Sequence, residues 1–214
     1  MSNLFVAVEA LTYARQVIPP KTSDNKKFLS TVNFDDLSVP KEVREKAWEA
    51  KTEHSFKQQH LNSLRSNKFN PQAGDHSMEK CQKYGDACIG RGIGNCLEYS
   101  CVVAKFLKKK KVVFDLISFE GGDHVFVAIG QPSPGDGRYP TDFAAWDAEA
   151  AICDAWADIG CLASQFPARW RARMNNWENI RLQLAQVGGG FISPTNAYWY
   201  DAVDNGKLSF TYSG

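Results

Sequence analysis

The sequence predicts an α+β fold, a helical N-terminal part joined to a core in which a helix packs on antiparallel strands. Apolar residues at 96, 99, 102, 103, 106 and 107 keep helical spacing. Two β-branched and aromatic runs, 112–119 and 124–130, flank a Gly-rich turn and so read as a hairpin. A second helical run, 166–186, puts Trp170, Met174, Trp177 and Arg181 on one face. The chain has 214 residues and 23.9 kDa, the size of one compact unit, with a helical part over 1–80 and a core over 81–214.

Along the chain, Pro19-Pro20 and Thr22–Lys27 read as loop. A helix is expected from Pro40, which suits a first-turn position. Its apolar stripe (Val43, Ala47, Ala50, His54, Leu61) is thin, so the helix should be largely solvated. Residues 63–94 hold five glycines with poor periodicity and read as a long connection. The helix starting at Cys96 follows Gly94, and Lys108–Lys111 sit at its end, where the macrodipole favours cations. VVFDLISF is a strand, Glu120-Gly-Gly-Asp123 a turn and HVFVAIG the returning strand. Residues 131–139 read as a surface loop, and 150–153 as a third strand ending at Asp154. The tryptophan-rich helix should run to a stop at Gly188–Gly190. NAYWYDAV and KLSFTYSG then read as a last hairpin around Asn205-Gly206.

Composition excludes several function classes. Lys plus Arg is 25 and Asp plus Glu is 24, a formal net charge of +1. A protein held to nucleic acid mainly through phosphates is usually far more basic. No apolar run approaches the roughly 18 residues of a membrane span. The opening MSNLFVAVEALTYARQ has no basic n-region and Glu9 interrupts its apolar run, so no Sec-type signal is expected. The six cysteines form no CxxC, and no His lies near the first four at zinc-finger spacing, so six thiols and no structural zinc are expected. Gly90-Arg-Gly-Ile-Gly94 lacks a preceding strand, and Asn95 stands where GxGxxG would place its last Gly, so it is not a nucleotide loop.

The chemistry points to cysteine. A thiol becomes a nucleophile when a helix N-terminus or an imidazolium stabilises its thiolate. Cys96 stands where a Gly-rich loop enters a helix, whereas Cys101 lies one turn on, in the apolar stripe. Of the four histidines, His54 and His60 lie on the charged helix and His76 in a polar loop. His124 opens a strand at a turn edge, where its ring should be accessible. Asp154 ends a short apolar strand and suits the third, orienting group. Asp123 is a poor orienter, because neighbours on a strand point to opposite faces. The Cys96 N–H is one natural oxyanion donor; Asn95 and Gln82 are candidates for the second. Glu98, in the first helical turn, suits the dipole better than catalysis, and Trp156 could shield the Asp–His pair. Each residue alone is more often structural. Their joint order, helix-start Cys, strand His, strand-end Asp, favours the functional reading.

The segments GIGNCLEYS, GGDHVFVAIG and CDAWA together resemble the Cys-His-Asp thiol enzymes of the papain-like and transglutaminase-like fold, most closely those among bacterial secreted effectors and toxins. The resemblance covers roughly 90–157, and it departs at Ala155, where the family often has Pro. It implies Cys96 as nucleophile, His124 as general base and acid, and Asp154 as orienter. It further implies no metal or cofactor, a protein substrate from a host cell, and export without a Sec signal to a host cytosol. The expected reaction is acyl transfer at an amide, leaning to glutamine deamidation or transglutamination. Tyr139, Phe143, Trp146 and Trp156, on loops 131–149 and 157–166 and beside 84–95, would line a tunnel for one side chain. The alternatives are a cysteine protease of the same fold and an inactive protein-binding module.

Overall fold

A computed structural model describes residues 1–19, 25–28, 38, 40–66, 78–119, 124–135, 138–205 and 208–213. The turn 120–123, with Asp123, and His76 and Gly206 lie outside them. The chain is mixed α+β, with two antiparallel sheets. The larger sheet has six strands: β2 (Phe114–Phe119), β3 (Val125–Ile129), β4 (Arg138–Tyr139), β5 (Ala151–Asp154), β6 (Ile159–Leu162) and β9 (Leu208–Ser213), in the order β4-β9-β2-β3-β5-β6. The smaller has β1 (Lys26–Phe28), β7 (Leu182–Ala185) and β8 (Phe191–Ile192), in the order β1-β7-β8.

The expected hairpin is present as β2 and β3, with Phe114 opposite Ile129 and Ser118 opposite Val125. The third strand is β5, and it carries Asp154 as its last residue. The register sets the faces. Opposed pairs share a face, so Val127, Cys153 and Gly160 point one way. His124, Phe126 and Asp154 point the other way, because side chains alternate along a strand.

Helix α1 (Asn3–Val17) covers the first face and buries Val6, Ala7, Ala10 and Ala14. The opening segment, read above only for a signal, is thus core. Two glycines admit it. A Cβ on Gly160 would stand 3.2 Å from a methyl of Leu11, and one on Gly130 would run into the Asn3 amide. Helix α2 (Lys41–Ser66) matches the expected solvated helix, anchored at its C-terminal end by Leu61 and Leu64. His54 is half-buried against the Phe191 ring, not a free surface residue.

Helix α3 (Met78–Arg91) replaces the expected long connection. Its glycine at 85 weakened the helical signal but serves packing: a Cβ there would lie 2.8 Å from the Cys101 carbonyl oxygen. It packs on α4 (Cys96–Lys109), which in turn packs on α1, β2, β3 and β5.

Three further expectations are corrected. Helix α5 (Phe166–Asn179) ends short, because Arg181 takes a left-handed conformation (φ 57°) and 182–185 continue as β7. Trp170, Met174 and Trp177 are buried as a face, and Arg181 is not part of it. Residues 159–162, read as loop, form β6. The last hairpin does not form: Asn196 caps a helical turn α6 (Ala197–Tyr200), α7 (Ala202–Asn205) follows, and β9 pairs instead with β2 and β4.

Candidate active site

Cys96 is the first residue of α4, placed there by two local features. Asn95 is extended (φ −103°, ψ −162°) as the N-cap. Its backbone N–H donates to Glu98 Oε2 at 2.9 Å, the carboxylate half of a capping box. Gly94 lets the loop close on that carboxylate's stem, since a Cβ there would be 2.6 Å from Glu98 Cβ. The thiol therefore sits at the positive end of a helix dipole.

Glu98 does more than complement the dipole. It is fully buried and accepts from Arg65 Nε and Nη2 (3.0 and 3.2 Å), the Tyr84 hydroxyl (2.6 Å) and the Asn95 N–H. Burial alone would raise its pKa. The Arg65 guanidinium and the converging donors outweigh this and hold the carboxyl below its ordinary value. One carboxylate so ties α2, α3 and the N-terminus of α4 together.

His124 and Asp154 meet as expected from the sequence. His124 Nε2 lies 2.6 Å from Asp154 Oδ2, and Asp154 Oδ1 accepts the Ala157 N–H at 2.9 Å. Two bonds fix the carboxylate, and one fixes the ring. The expectation of an accessible ring is overturned. His124 is 2% exposed, with the rings of Trp156 and Trp170 at 4.9 Å and those of Phe119, Phe126 and Trp199 beyond. Those tryptophans come from distant stretches of chain, so local sequence could not announce them. Trp156, read from the sequence as a shield of the pair or as ordinary core packing, is part of the core and lays its ring on His124. Nδ1, the nitrogen Asp154 leaves, is buried and has no hydrogen-bond partner among the described residues.

Two links bring α4 to this pair. Ser100, one turn into α4, donates its hydroxyl to the Val125 carbonyl at 3.1 Å, next to His124. Asn25 Oδ1 accepts the Trp156 indole N–H at 2.9 Å, and the Asn25 N–H faces Asn95 Oδ1 at 3.5 Å. No hydrogen bond joins Nδ1 to the thiol.

The two oxyanion candidates separate. Asn95 adjoins the thiol, but as a cap whose side-chain oxygen faces Asn25. Gln82 follows Cys81, whose sulfur touches Cys101, so it stands beside the second turn of α4, not at its start. Sequence reasoning missed Asn25 and Lys26, which it placed in a loop. Lys26 is half-buried, donates to the Trp156 carbonyl at 2.6 Å and lies over the Trp156 and Trp177 rings at 4.1 and 4.2 Å. Burial pushes its pKa well down, against the pull of Asp154 and Cys96. No local pattern marked either residue; their position follows from β1 pairing with β7.

The tunnel aromatics do not assemble. Tyr139, Phe143 and Trp146 stack on one another and on Phe126 and Phe166, and of the four only Trp156 has its ring on His124. Among the described residues no group of three or more His, Cys, Asp or Glu could hold a metal ion, and no helix is long and apolar enough to cross a membrane.

All six cysteines are free thiols. Burial pushes the Cys88, Cys101 and Cys153 thiols up, and Cys161 to about 12. Cys96 is the most exposed of the six, at 5%. Iodoacetamide at mildly acidic pH is therefore expected to label Cys96 first, as peptide mapping would show. Preferential labelling of Cys81, Cys88 or Cys161 would remove the nucleophile assignment. Compared with protein-family models, curated proteins and solved structures, the chain shows no match.

Proposed function

We propose that the chain is a cysteine-dependent acyl-transfer enzyme that acts on an amide of a protein, with glutamine side chains as the favoured target. The observation that carries this is the buried His124–Asp154 pair, joined at 2.6 Å through Nε2, with Nδ1 buried and without a hydrogen-bond partner among the described residues, in a chain that also starts helix α4 with a cysteine. A structural histidine buried this deeply would be expected to satisfy both nitrogens. A general base needs one nitrogen held by a carboxylate and the other available to the nucleophile.

In this reading Nδ1 takes the Cys96 proton and the thiolate attacks the amide carbonyl. The oxyanion forms at the N-terminus of α4, where the Cys96 N–H is a donor. The imidazolium, stabilised by Asp154, returns its proton to the leaving nitrogen, and the C–N bond breaks to leave a thioester. Water or an amine then attacks the thioester, His124 takes its proton, and the thiol is restored with acid or a new amide as product. No redox partner or cofactor is required by this balance.

Burial of the site supports the side-chain target. Cys96, His124 and Asp154 are 5%, 2% and 1% exposed. A glutamine side chain is thin enough to enter such a site, whereas a scissile backbone needs an open groove along several residues. The resemblance at 90–157 supports a host protein as substrate and action after export. Intact-mass analysis of candidate host proteins incubated with the enzyme tests the reading. A Cys96-dependent amide-to-acid gain means deamidation, and an added amine or a joined species means transglutamination. Two Cys96-dependent fragments would show a peptidase instead, and no Cys96-dependent change a binding module.

A further inference from the structure

One face of α5, carrying Arg169, Ala172, Arg173 and Asn176 at helical spacing, stands opposite Asp158, Ile159 and Gly160 at the β5–β6 turn. Between them lies a cavity of about 330 Å³, open on one side. Its charge is unbalanced. Arg15 Nε reaches Asp158 Oδ1 at 3.0 Å, and Arg173 Nη2 reaches Oδ2 at 3.1 Å and the Asp158 carbonyl at 3.0 Å. Both carboxylate oxygens are thus taken. Arg169, exposed at the rim, makes no hydrogen bond or ion pair among the described residues. Two guanidiniums therefore share one carboxylate, and Arg169 adds a third positive charge to the cavity wall, in a chain whose overall formal charge is only +1. An unpaired guanidinium beside a second one and the Asn176 amide forms a fork that matches an oxyanion.

The cavity wall also adjoins the strand end and turn that carry Asp154. Ile159, in its wall, is directly opposed to Asp154, so both side chains leave the sheet on the face that holds His124. Arg15 further bonds the Ala155 carbonyl at 3.2 Å, in the same turn that connects Asp154 to the cavity. The volume is several times that of a single carboxylate, leaving room for the side chain that bears one.

We propose that this cavity is an oxyanion site that receives the carboxylate of an acidic side chain of the protein substrate, near the attacked amide. That the ligand belongs to a substrate rests on the acyl-transfer reading; the site itself does not. The test uses the full chain as Cys96→Ala, so that binding is separated from turnover. Calorimetric titrations compare three probes: blocked tri-glutamate, blocked tri-glutamine and inorganic phosphate. Tri-glutamate is expected to bind in the millimolar range or tighter, tri-glutamine not at all. Arg169→Gln should weaken tri-glutamate by about tenfold or more, the loss of a charge-assisted bond. Lys109→Gln, at the far exposed end of α4, should leave it unchanged. Arg169 is exposed, and near-UV circular dichroism checks that Arg169→Gln stays folded.

Phosphate binding that equals or exceeds tri-glutamate, with the same Arg169 dependence, overturns the acidic-side-chain assignment in favour of a phosphate ligand. No binding of any probe, or binding equal in Arg169→Gln and Lys109→Gln, overturns the site. Arg169-dependent binding in a protein whose wild type changes no amide would instead sink the acyl-transfer reading and leave the site standing.

Discussion

Cys96→Ala is expected to abolish turnover while leaving the thermal midpoint nearly unchanged. The side chain is small and stands at the helix start, so its truncation removes the nucleophile and little packing. His124→Ala should abolish turnover too, but it should also destabilise the fold. The ring fills the space among Trp156, Trp170 and Phe119, and its loss leaves the Asp154 carboxylate buried without its partner. Activity of that variant must therefore be read on its folded fraction. Asp154→Asn keeps the packing and is expected to lower kcat by roughly 10³- to 10⁴-fold, because an amide holds the ring in the wrong tautomer. Groups that act as a unit are not additive, so the Cys96/His124 double change should be little worse than either single one. Substrate turnover by folded protein, measured at saturating substrate, checks all four. Retained activity in Cys96→Ala would end the mechanism. Loss of activity in Asp154→Asn that tracks loss of near-UV circular dichroism would reduce Asp154 to a structural role.

The part of the site that the sequence disclosed is the part whose signal is local. Cys96 was visible because glycines give way to a helical run, and His124 and Asp154 because short apolar strands have readable ends. What lay hidden depends on long-range packing. Gly85 breaks a propensity pattern yet is the residue that lets α3 approach the Cys101 backbone. Asn196 starts a helical turn inside NAYWY, whose aromatics resemble a strand. Residues 182–185 continue the helical spacing of α5 but pair with β1, which needs a partner from the other end of the chain. The closed state of the site is of the same kind. Indoles from 156, 170 and 199 bury His124, and Asn25 joins one of them to the residue before Cys96.

The second large effect is expected at Glu98, on stability. Glu98→Ala removes the one acceptor shared by Arg65, the Tyr84 hydroxyl and the Asn95 N–H. Arg65 is about one-third exposed and can turn to water, but the other two donors are buried and would be left unsatisfied. A loss of about 2–5 kcal/mol follows from leaving two buried donors unsatisfied, which for a chain of this length lowers the thermal midpoint by about 10 °C. Glu98→Gln should lose less, since its carbonyl can still accept one or two of these bonds. The pH dependence has a definite sign. The folded carboxyl titrates below its ordinary value of 4.5, so its contribution is fully present above that value. It is lost as pH falls through the lower, folded value, because protonation then costs the folded state more than the unfolded one. Denaturation midpoints from pH 7 down to about pH 3 should therefore fall more steeply in the wild type than in Glu98→Gln. Activity adds a readout that separates positioning from bulk stability. In Glu98→Ala the N-cap is released and the start of α4 frays, so Cys96 alkylation at mildly acidic pH should slow in that variant even on its folded fraction, and less in Glu98→Gln, whose carbonyl can still accept the Asn95 N–H. Unchanged alkylation with a lowered midpoint would show that Glu98 ties α2 and α3 to α4 without setting the thiol.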